Sequence, residues 1–372
     1  MKKVLLFPDF DKFGGTRTYF KNLINFYRLY DCTIVAAIDK EYCDKDILEF
    51  LAQNDIKIIF LSTKYRAGIF SRFFLRIIVD LILGVPIIIK ERPDIVVIST
   101  GLAGKFLGLL LLHPLKLIYI FHSYPMCVRP ANIDRIVLSA SFIDNKRILT
   151  VSEFAKKQMI KCWSAEKKQE CIHLIYNFSN FENNSWSPNN SGKNNVKKIL
   201  TIGHVIWYKN PDIWYSVALK TIEKYPGEVE FLWAGEGELL DIFRDKVKKD
   251  NISKIKFLGF QKNVAELYNQ STIYFQPSLV ENHSIAVLDA MMMGMPCIVS
   301  NAGGLPESVV NGVTGYVIDP NDTDAMVENL LNLLENENLR ISMGNAGKEY
   351  YLNKFSYKRW IHEMKTLNEN VW

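Results

Sequence analysis

The feature that most constrains this chain is a rhythm of short, apolar, β-branched runs separated by stretches with helical spacing. Val4–Phe7, Thr33–Ile38, Ile56–Leu61, Ile95–Ser99, Leu117–Phe121 and Ile148–Val151 are such runs. A helical pattern fills Thr16–Tyr30, and Ser152 is placed to cap a helix over Glu153–Cys162. Strands alternating with helices of about ten to fifteen residues make βαβ units, and these build a parallel sheet. Residues 178–195, FSNFENNSWSPNNSGKNN, break the rhythm with Asn, Ser and Pro and read as a linker. The rhythm then restarts with Lys198–Gly203, Val229–Ala234, Ile255–Leu258, Ile273–Gln276, Pro296–Ser300 and Gly315–Ile318. The expected fold class is therefore α/β, with two Rossmann-like domains facing across a cleft. Their expected bounds are 1–178 and 196–356, with a linker at 179–195. A length of 372 residues agrees with two domains at about 150 residues each.

With 48% hydrophobic and 23% charged residues, the composition excludes disordered and collagen-like classes. The apolar run at the start, Val4–Phe7, is too short for the core of a signal peptide, and Pro8-Asp9 follow at once. A cytoplasmic chain is expected, with Cys32, Cys43, Cys127, Cys162, Cys171 and Cys297 as reduced thiols. The net charge of +5 hides an asymmetry. Residues 1–180 hold 26 Lys and Arg against 17 Asp and Glu, whereas the remainder holds 19 against 23. The basic half suits an anionic substrate or an anionic membrane surface. No clustered basic–aromatic motif of a nucleic-acid reader is present, so no nucleic-acid partner is expected.

Three stretches that follow strands carry chemistry, because ligands of open α/β sheets bind beyond the carboxyl ends of the strands. Gly14-Gly15 precede a helix, where a close backbone approach and free N–H groups favour an anion. Taken alone they also fit a plain turn, and no G-x-G-x-x-G is present. Gly203-His204 lead to Lys209, a cation able to neutralise a diphosphate, although taken by itself it reads as a solvated surface lysine. The third stretch runs from Gln276 to Pro296 and holds Glu281, Asn282, His283, Ser284, Ile285 and Asp289. Ser278 or Asn282 is placed to cap its helix. Asp289 lies on an otherwise apolar helix, roughly 12 Å from Glu281 if the stretch between is helical, a spacing suited to gripping both ends of an extended ligand. An acid in such a place needs a partner. Asp322-Thr323-Asp324 read as a helix cap, not a metal site, and Cys162, Cys171 and His173 lack zinc spacing.

The run from Pro277 to Glu307 resembles the signature region of the family-4 retaining glycosyltransferases, which have the GT-B fold. It carries Glu281, Asp289, Ala290-Met291, Gly294-Met295-Pro296 and Gly303-Gly304-Leu305-Pro306-Glu307 in that family's order. Arg92-Pro93-Asp94, Ile120-Phe121-His122, Val151-Ser152-Glu153, Tyr176-Asn177 and Phe257-Leu258-Gly259 resemble its other landmarks, so the likeness spans nearly the whole chain. The resemblance implies that Glu281 contacts donor-sugar hydroxyls, Asp289 the nucleotide ribose, and Lys209 the diphosphate leaving group. It also implies that the backbone at Ser284 and Ile285 holds a phosphate, that Gly14 and Gly15 border the donor phosphates or the acceptor, and that His122 lies near the sugar. The final helix, about 357–372, would pack back on the first domain. Three departures bear on specificity: His204 stands where the family has Arg, Asp289 where it has Glu, and Asn282-His283-Ser284 where it often has Gly-Phe-Gly. His283 is either a sugar contact or an ordinary polar residue at a helix start.

The expected activity is retaining transfer of a hexosyl or N-acetylhexosaminyl group from a UDP- or GDP-linked sugar to a saccharide acceptor. No metal or other cofactor is expected. A lipid-linked acceptor of cell-surface polysaccharide assembly, such as lipopolysaccharide or capsule, is the expected partner. A nucleotide-sugar epimerase of the same architecture, or a non-enzymatic two-domain sugar-binding protein, are the alternatives. Segment 65–90 is very apolar, with Arg72, Arg76 and Asp80 recurring every fourth residue. It reads either as a buried helix or as one resting on anionic lipid at the inner face of the cell membrane, and the basic half favours the second.

Overall fold

The computed structural model describes residues 1–9, 14–61, 73–101, 106–113, 115–124, 145–163, 165–179, 181 and 196–369. The chain divides into two compact units, Met1–Tyr176 with Ile361–Trp372, and Asn177–Trp360.

The first unit is built on β1 (Lys2–Asp9), β2 (Cys32–Asp39), β3 (Lys57–Leu61), β4 (Ile95–Thr100), β5 (Leu117–Phe121), β6 (Lys146–Thr150) and β7 (Ile172–Leu174). These pair in the order β3-β2-β1-β4-β5-β6-β7, every pair parallel. The second sheet holds β8 (Lys197–Ile202), β9 (Val229–Ala234), β10 (Ile255–Gly259), β11 (Ile273–Gln276), β12 (Cys297–Ser300) and β13 (Gly315–Ile318). Its order is β10-β9-β8-β11-β12-β13, again parallel throughout. Both sheets therefore reverse direction of strand addition beside their first strand, β1 in one and β8 in the other. That switch point is where an open α/β sheet leaves room for a ligand. The rhythm in the sequence anticipates every strand except β7, whose three residues are too few for a periodicity to register.

Parallel strands covered on both faces carry near-continuous apolar runs, and β4, β5 and β11 are buried at every position. Beneath the second sheet Trp214 packs edge-on to Trp233, with ring centroids 5.1 Å apart, and against Phe257 at 5.3 Å. Aromatic pairs of this kind add about 0.5–1.5 kcal/mol each beyond the area they bury. The Trp214 indole also donates to Thr201 Oγ1 at 2.7 Å, and that hydroxyl bonds the carbonyl of Phe275. The core thus ties the ends of β8 and β11 together directly below the residues that follow them.

Several sequence expectations change. Ser284, rather than Ser278 or Asn282, caps the helix Ile285–Met292, its Oγ accepting from the Val287 N–H. The helix starts only there, so the stretch from Glu281 to Asp289 is not one continuous helix. Cys32, Cys43, Cys171 and Cys297 are free, but Cys162 is disulfide-bonded. That corrects the reading of six reduced thiols, since pairing follows proximity in the fold and not spacing in the sequence; Cys127 lies outside the described residues. Asp322 caps the helix Thr323–Glu335, accepting from the Ala325 N–H at 2.9 Å.

The apolar segment forms the helix Phe73–Glu91; residues 65–72, with Arg72, lie outside the described residues. Asp80 is not part of a solvent-facing charged stripe. It is fully buried and accepts from the N–H groups of Phe106 and Gly108, at 3.1 and 3.0 Å, at the start of the short helix Leu107–Leu111. Lys146 Nζ serves the other end, donating to the carbonyls of Leu112 and Leu115 at 2.6 and 2.5 Å. A buried carboxylate at the positive end and a buried ammonium at the negative end complement the dipole of that turn. Burial pushes the Lys146 ammonium down to about 8. The outer face of Phe73–Glu91 is apolar, with Ile78, Ile82 and Ile89 exposed at 42%, 65% and 67%.

Candidate functional site

In the second unit the strand ends gather a compact polar cluster. After β8 the chain passes Gly203 and makes the turn Trp207–Lys209 before the helix Pro211–Lys224. The Gly203 carbonyl accepts from the Trp233 indole at 2.9 Å. A Cβ on Gly203 would stand 3.6 Å from Lys209 Cε, so the lysine stem lies over this glycine. After β11 the loop through Glu281 is fastened to that turn, because the Leu279 N–H donates to the Tyr208 carbonyl at 2.7 Å. From the other side Gly303, at φ +57°, lets the backbone come so close to Glu281 that a Cβ would stand 1.8 Å from the Glu281 carbonyl oxygen. No other residue fits that position, which gives the Gly-Gly motif a physical reason.

These constraints bring Lys209 Nζ onto Glu281 Oε2 in an ion pair. The same oxygen accepts from Gln276 Nε2 at 2.8 Å, and Oε1 accepts the Asn282 N–H at 3.3 Å. Ser284 begins the helix beside them. The N–H groups of Ile285 and Ala286 open that helix and meet no acceptor among the described residues. Cation, carboxylate and helix start thus lie on consecutive turns at the switch point of one sheet. This arrangement can hold a hydroxylated group on the carboxylate and an anion on the ammonium and N–H groups. His204 is half-buried in the same post-β8 loop.

Two sequence candidates hold the segment that enters this unit. His283 is buried; its Nδ1 accepts the Asn177 N–H at 3.1 Å, and its carbonyl accepts from Asn177 Nδ2 at 2.9 Å. Burial, with a smaller effect of the Lys354 ammonium, pushes His283 down to about 3, so the ring is neutral. Asp289 is buried as well, and its Oδ1 accepts from Ser179 Oγ at 2.6 Å. The partner that a buried acid requires is therefore a serine 110 residues away in the sequence.

The first unit carries the other candidates. Gly14 sits at φ 114° before the helix Gly15–Tyr27, a left-handed conformation that glycine adopts without strain. His122 follows β5; its N–H donates to the Thr100 carbonyl at 2.9 Å, and its Nε2 lies 2.9 Å from Ser99 Oγ. The ring stands edge-on to Tyr19, with centroids 4.4 Å apart. Burial pushes it down to about 3, so it is neutral and can exchange hydrogen bonds but carries no charge. Gly14, Gly15 and His122 lie at carboxyl ends of the first sheet, as Gly203, His204, Lys209, Glu281, Asn282 and Ser284 do in the second. Among the described residues no group of three or more His, Cys, Asp or Glu side chains is arranged to hold a metal ion.

Sequence reasoning missed Gln276, Tyr274, Ser179 and Ser99. A signal existed for the first, since Gln276 is the one non-aromatic polar residue in an otherwise apolar strand. None existed for Ser179, whose partner is remote.

Residues 182–350 match the model of the glycosyl transferases group 1. The N-acetyl-alpha-D-glucosaminyl L-malate synthase of Bacillus anthracis is 31% identical over 145 residues, 39% of this chain and 38% of that protein. The UDP-Gal:alpha-D-GlcNAc-diphosphoundecaprenol alpha-1,3-galactosyltransferase of Escherichia coli is 29% identical over 179 residues, 47% of this chain and 46% of that one. The match thus spans less than half the length of either relative. The structure of Anabaena HepE in complex with UDP and glucose superposes with a TM-score of 0.76 at 16% identity, over 99% of this chain and all of that one. Over residues 182–350 the chain is thus similar to the glycosyl transferases group 1, and it has the GT-B fold.

Proposed function

We propose that this protein is a retaining glycosyltransferase that moves a sugar from a nucleoside diphosphate to a saccharide acceptor without a metal ion. The observation that carries the proposal is the Lys209–Glu281 pair beside the helix start at Ser284. In the transfer, the bond between the anomeric carbon and the diphosphate oxygen breaks with its electrons going to the phosphate. The acceptor hydroxyl oxygen bonds the anomeric carbon and passes its proton to the departing phosphate oxygen. Charge therefore grows on the leaving diphosphate. A fixed ammonium and unpaired N–H groups stabilise that charge without reorganising. Glu281 accepts from hydroxyls of the donor sugar. For Asp289 and His283 the contacts to Ser179 and Asn177 favour a supporting role over direct ribose or sugar contact.

The name of the Escherichia coli relative joins a UDP-sugar to a diphosphoundecaprenol-linked acceptor. That supports a lipid-linked saccharide as acceptor and cell-surface polysaccharide assembly as the setting. The exposed Ile78, Ile82 and Ile89 support docking of the first unit on anionic lipid. No helix among the described residues is long and apolar enough to cross a membrane.

The test is thermal protection by UDP, GDP and their glucose, N-acetylglucosamine and mannose conjugates, with EDTA present throughout. One nucleotide series raising the melting temperature supports the donor site and its metal independence. No protection by any of them, with or without magnesium, removes the reading. Once a donor is found, the anomeric configuration of the product, read by NMR, tests retention.

A further inference from the structure

Gln276 closes β11 and is 1% exposed. Its amide meets four partners. Nε2 donates to Glu281 Oε2 at 2.8 Å and to Ser278 Oγ at 3.2 Å. Oε1 lies 3.0 Å from the Ser284 hydroxyl and 3.1 Å from the Tyr274 hydroxyl, both able to donate to it. A primary amide has two N–H donors and an acceptor with two lone pairs, so this one is saturated. Its orientation is fixed as well, because a carboxylate can only accept and must face the nitrogen.

Each neighbour has a second attachment. Ser284 Oγ accepts the Val287 N–H as the helix cap, so its proton is turned towards Gln276. The Tyr274 hydroxyl accepts the N–H of Ile202, the last residue of β8, at 3.4 Å, which leaves its proton for Gln276. One buried amide therefore links the ends of two strands, the start of the helix Ile285–Met292 and the Glu281 carboxylate. An apolar side chain of similar size would fill the same space and make none of these links.

We infer that Gln276 is a positioning residue that aims the Glu281 carboxylate at the donor sugar. This rests on the reading of Lys209 and Glu281 as the donor centre. Lys209 and Gln276 share one oxygen of Glu281, Oε2, and leave Oε1 with the single Asn282 N–H at 3.3 Å. A bound diphosphate draws the Lys209 ammonium towards itself. The amide then keeps hold of Oε2, so Oε1 stays directed at the sugar hydroxyls while the lysine serves the phosphates. Ser284 keeps its own cap bond to the Val287 N–H, so the anion-binding helix start does not depend on the amide. The expected consequence is selective: Gln276 governs recognition of the sugar and turnover, not affinity for the nucleotide.

The experiment compares the wild-type chain with Gln276→Leu and Gln276→Glu. Binding is measured for UDP and GDP and for their glucose, N-acetylglucosamine and mannose conjugates, and turnover of the bound conjugate is followed from pH 5 to 8. Melting temperatures identify any variant that fails to fold. Gln276→Leu should bind the free nucleotide within about twofold of wild type, lose the extra affinity conferred by the sugar, and lower kcat by about 10- to 100-fold. Gln276→Glu sets a second carboxylate against Glu281. At low pH a shared proton lets it donate as the amide does, and at high pH two anions repel. Its activity relative to wild type should therefore fall as pH rises, whereas that of Gln276→Leu should be flat. An unchanged sugar increment in both variants overturns the inference. So does an equal loss of nucleotide and sugar affinity with no pH dependence in Gln276→Glu. Failure of the wild-type chain to bind any of these nucleotides or conjugates removes the parent reading and this one with it.

Discussion

Removing Lys209 and Glu281 one at a time separates the chemistry of the site from its contribution to the fold. Their side chains are 14% and 15% exposed. The pair thus falls between exposed ion pairs, worth about 0–1 kcal/mol, and fully buried ones, where deletion of one partner costs about 3–5 kcal/mol. The two deletions are unequal. Without Lys209, Glu281 Oε2 keeps the Gln276 N–H. Without Glu281, the Lys209 ammonium has no carboxylate among the described residues, and Gln276 Nε2 retains only Ser278 Oγ at 3.2 Å. Lys209→Ala should cost about 1 kcal/mol and Glu281→Ala about 3 kcal/mol. For a unit the size of Asn177–Trp360, that is a fall in Tm of about 2–4 °C against about 6–12 °C. The chemical loss in Lys209→Ala is far larger than its stability loss, about 10²–10³ in kcat, the usual effect of removing one fixed group that stabilises developing charge. Scanning calorimetry and steady-state turnover of the donor found by thermal protection measure both. A Lys209→Ala enzyme that retains kcat within about threefold, or is less stable than Glu281→Ala, refutes the reasoning.

Three further outcomes follow from particular contacts. His283 titrates near 3 in the fold and near 6.5 when unfolded, so the unfolded chain binds the extra proton between those values. Its contribution to stability is complete above about pH 6.5 and is lost at on the order of 1.4 kcal/mol per unit as pH falls towards 3; urea midpoints from pH 7 to 4 should fall less steeply in His283→Asn than in wild type. Ser179→Ala removes the hydroxyl from the buried Asp289 carboxylate and should cost about 1–3 kcal/mol, with coupling in a double-mutant cycle with Asp289→Asn; additive urea midpoints would deny the link. Replacing the exposed Ile82 by Glu should weaken co-sedimentation with phosphatidylglycerol vesicles by about tenfold, and unaltered binding would remove the docking face.

The sequence carries the architecture because a parallel sheet writes its strands as apolar runs that need no partner to be recognised. It carries Lys209, Glu281 and Gly303 because each follows a strand in a recognisable order. It says much less about what a side chain touches. Asp80 reads as part of a charged stripe by its spacing, yet it is buried because it caps the backbone of Phe106 and Gly108. Asp289 reads as a ligand contact and His283 as either a sugar contact or an ordinary polar residue, while their partners Ser179 and Asn177, more than a hundred residues away, are not legible locally. Ser284 displaced two equally good capping residues because the loop through Glu281 must first be fastened to Tyr208 and Gly303. In each case a long-range contact decided, and local patterns do not encode long-range contacts.

The most direct test is calorimetric titration, with EDTA present, of the wild-type chain and Lys209→Met with UDP, GDP and their sugar conjugates. The account predicts that one nucleotide series binds the wild-type chain and that the lysine variant binds it at least about tenfold more weakly. Binding of equal strength in both proteins, or none to the wild-type chain, would contradict a diphosphate held by Lys209.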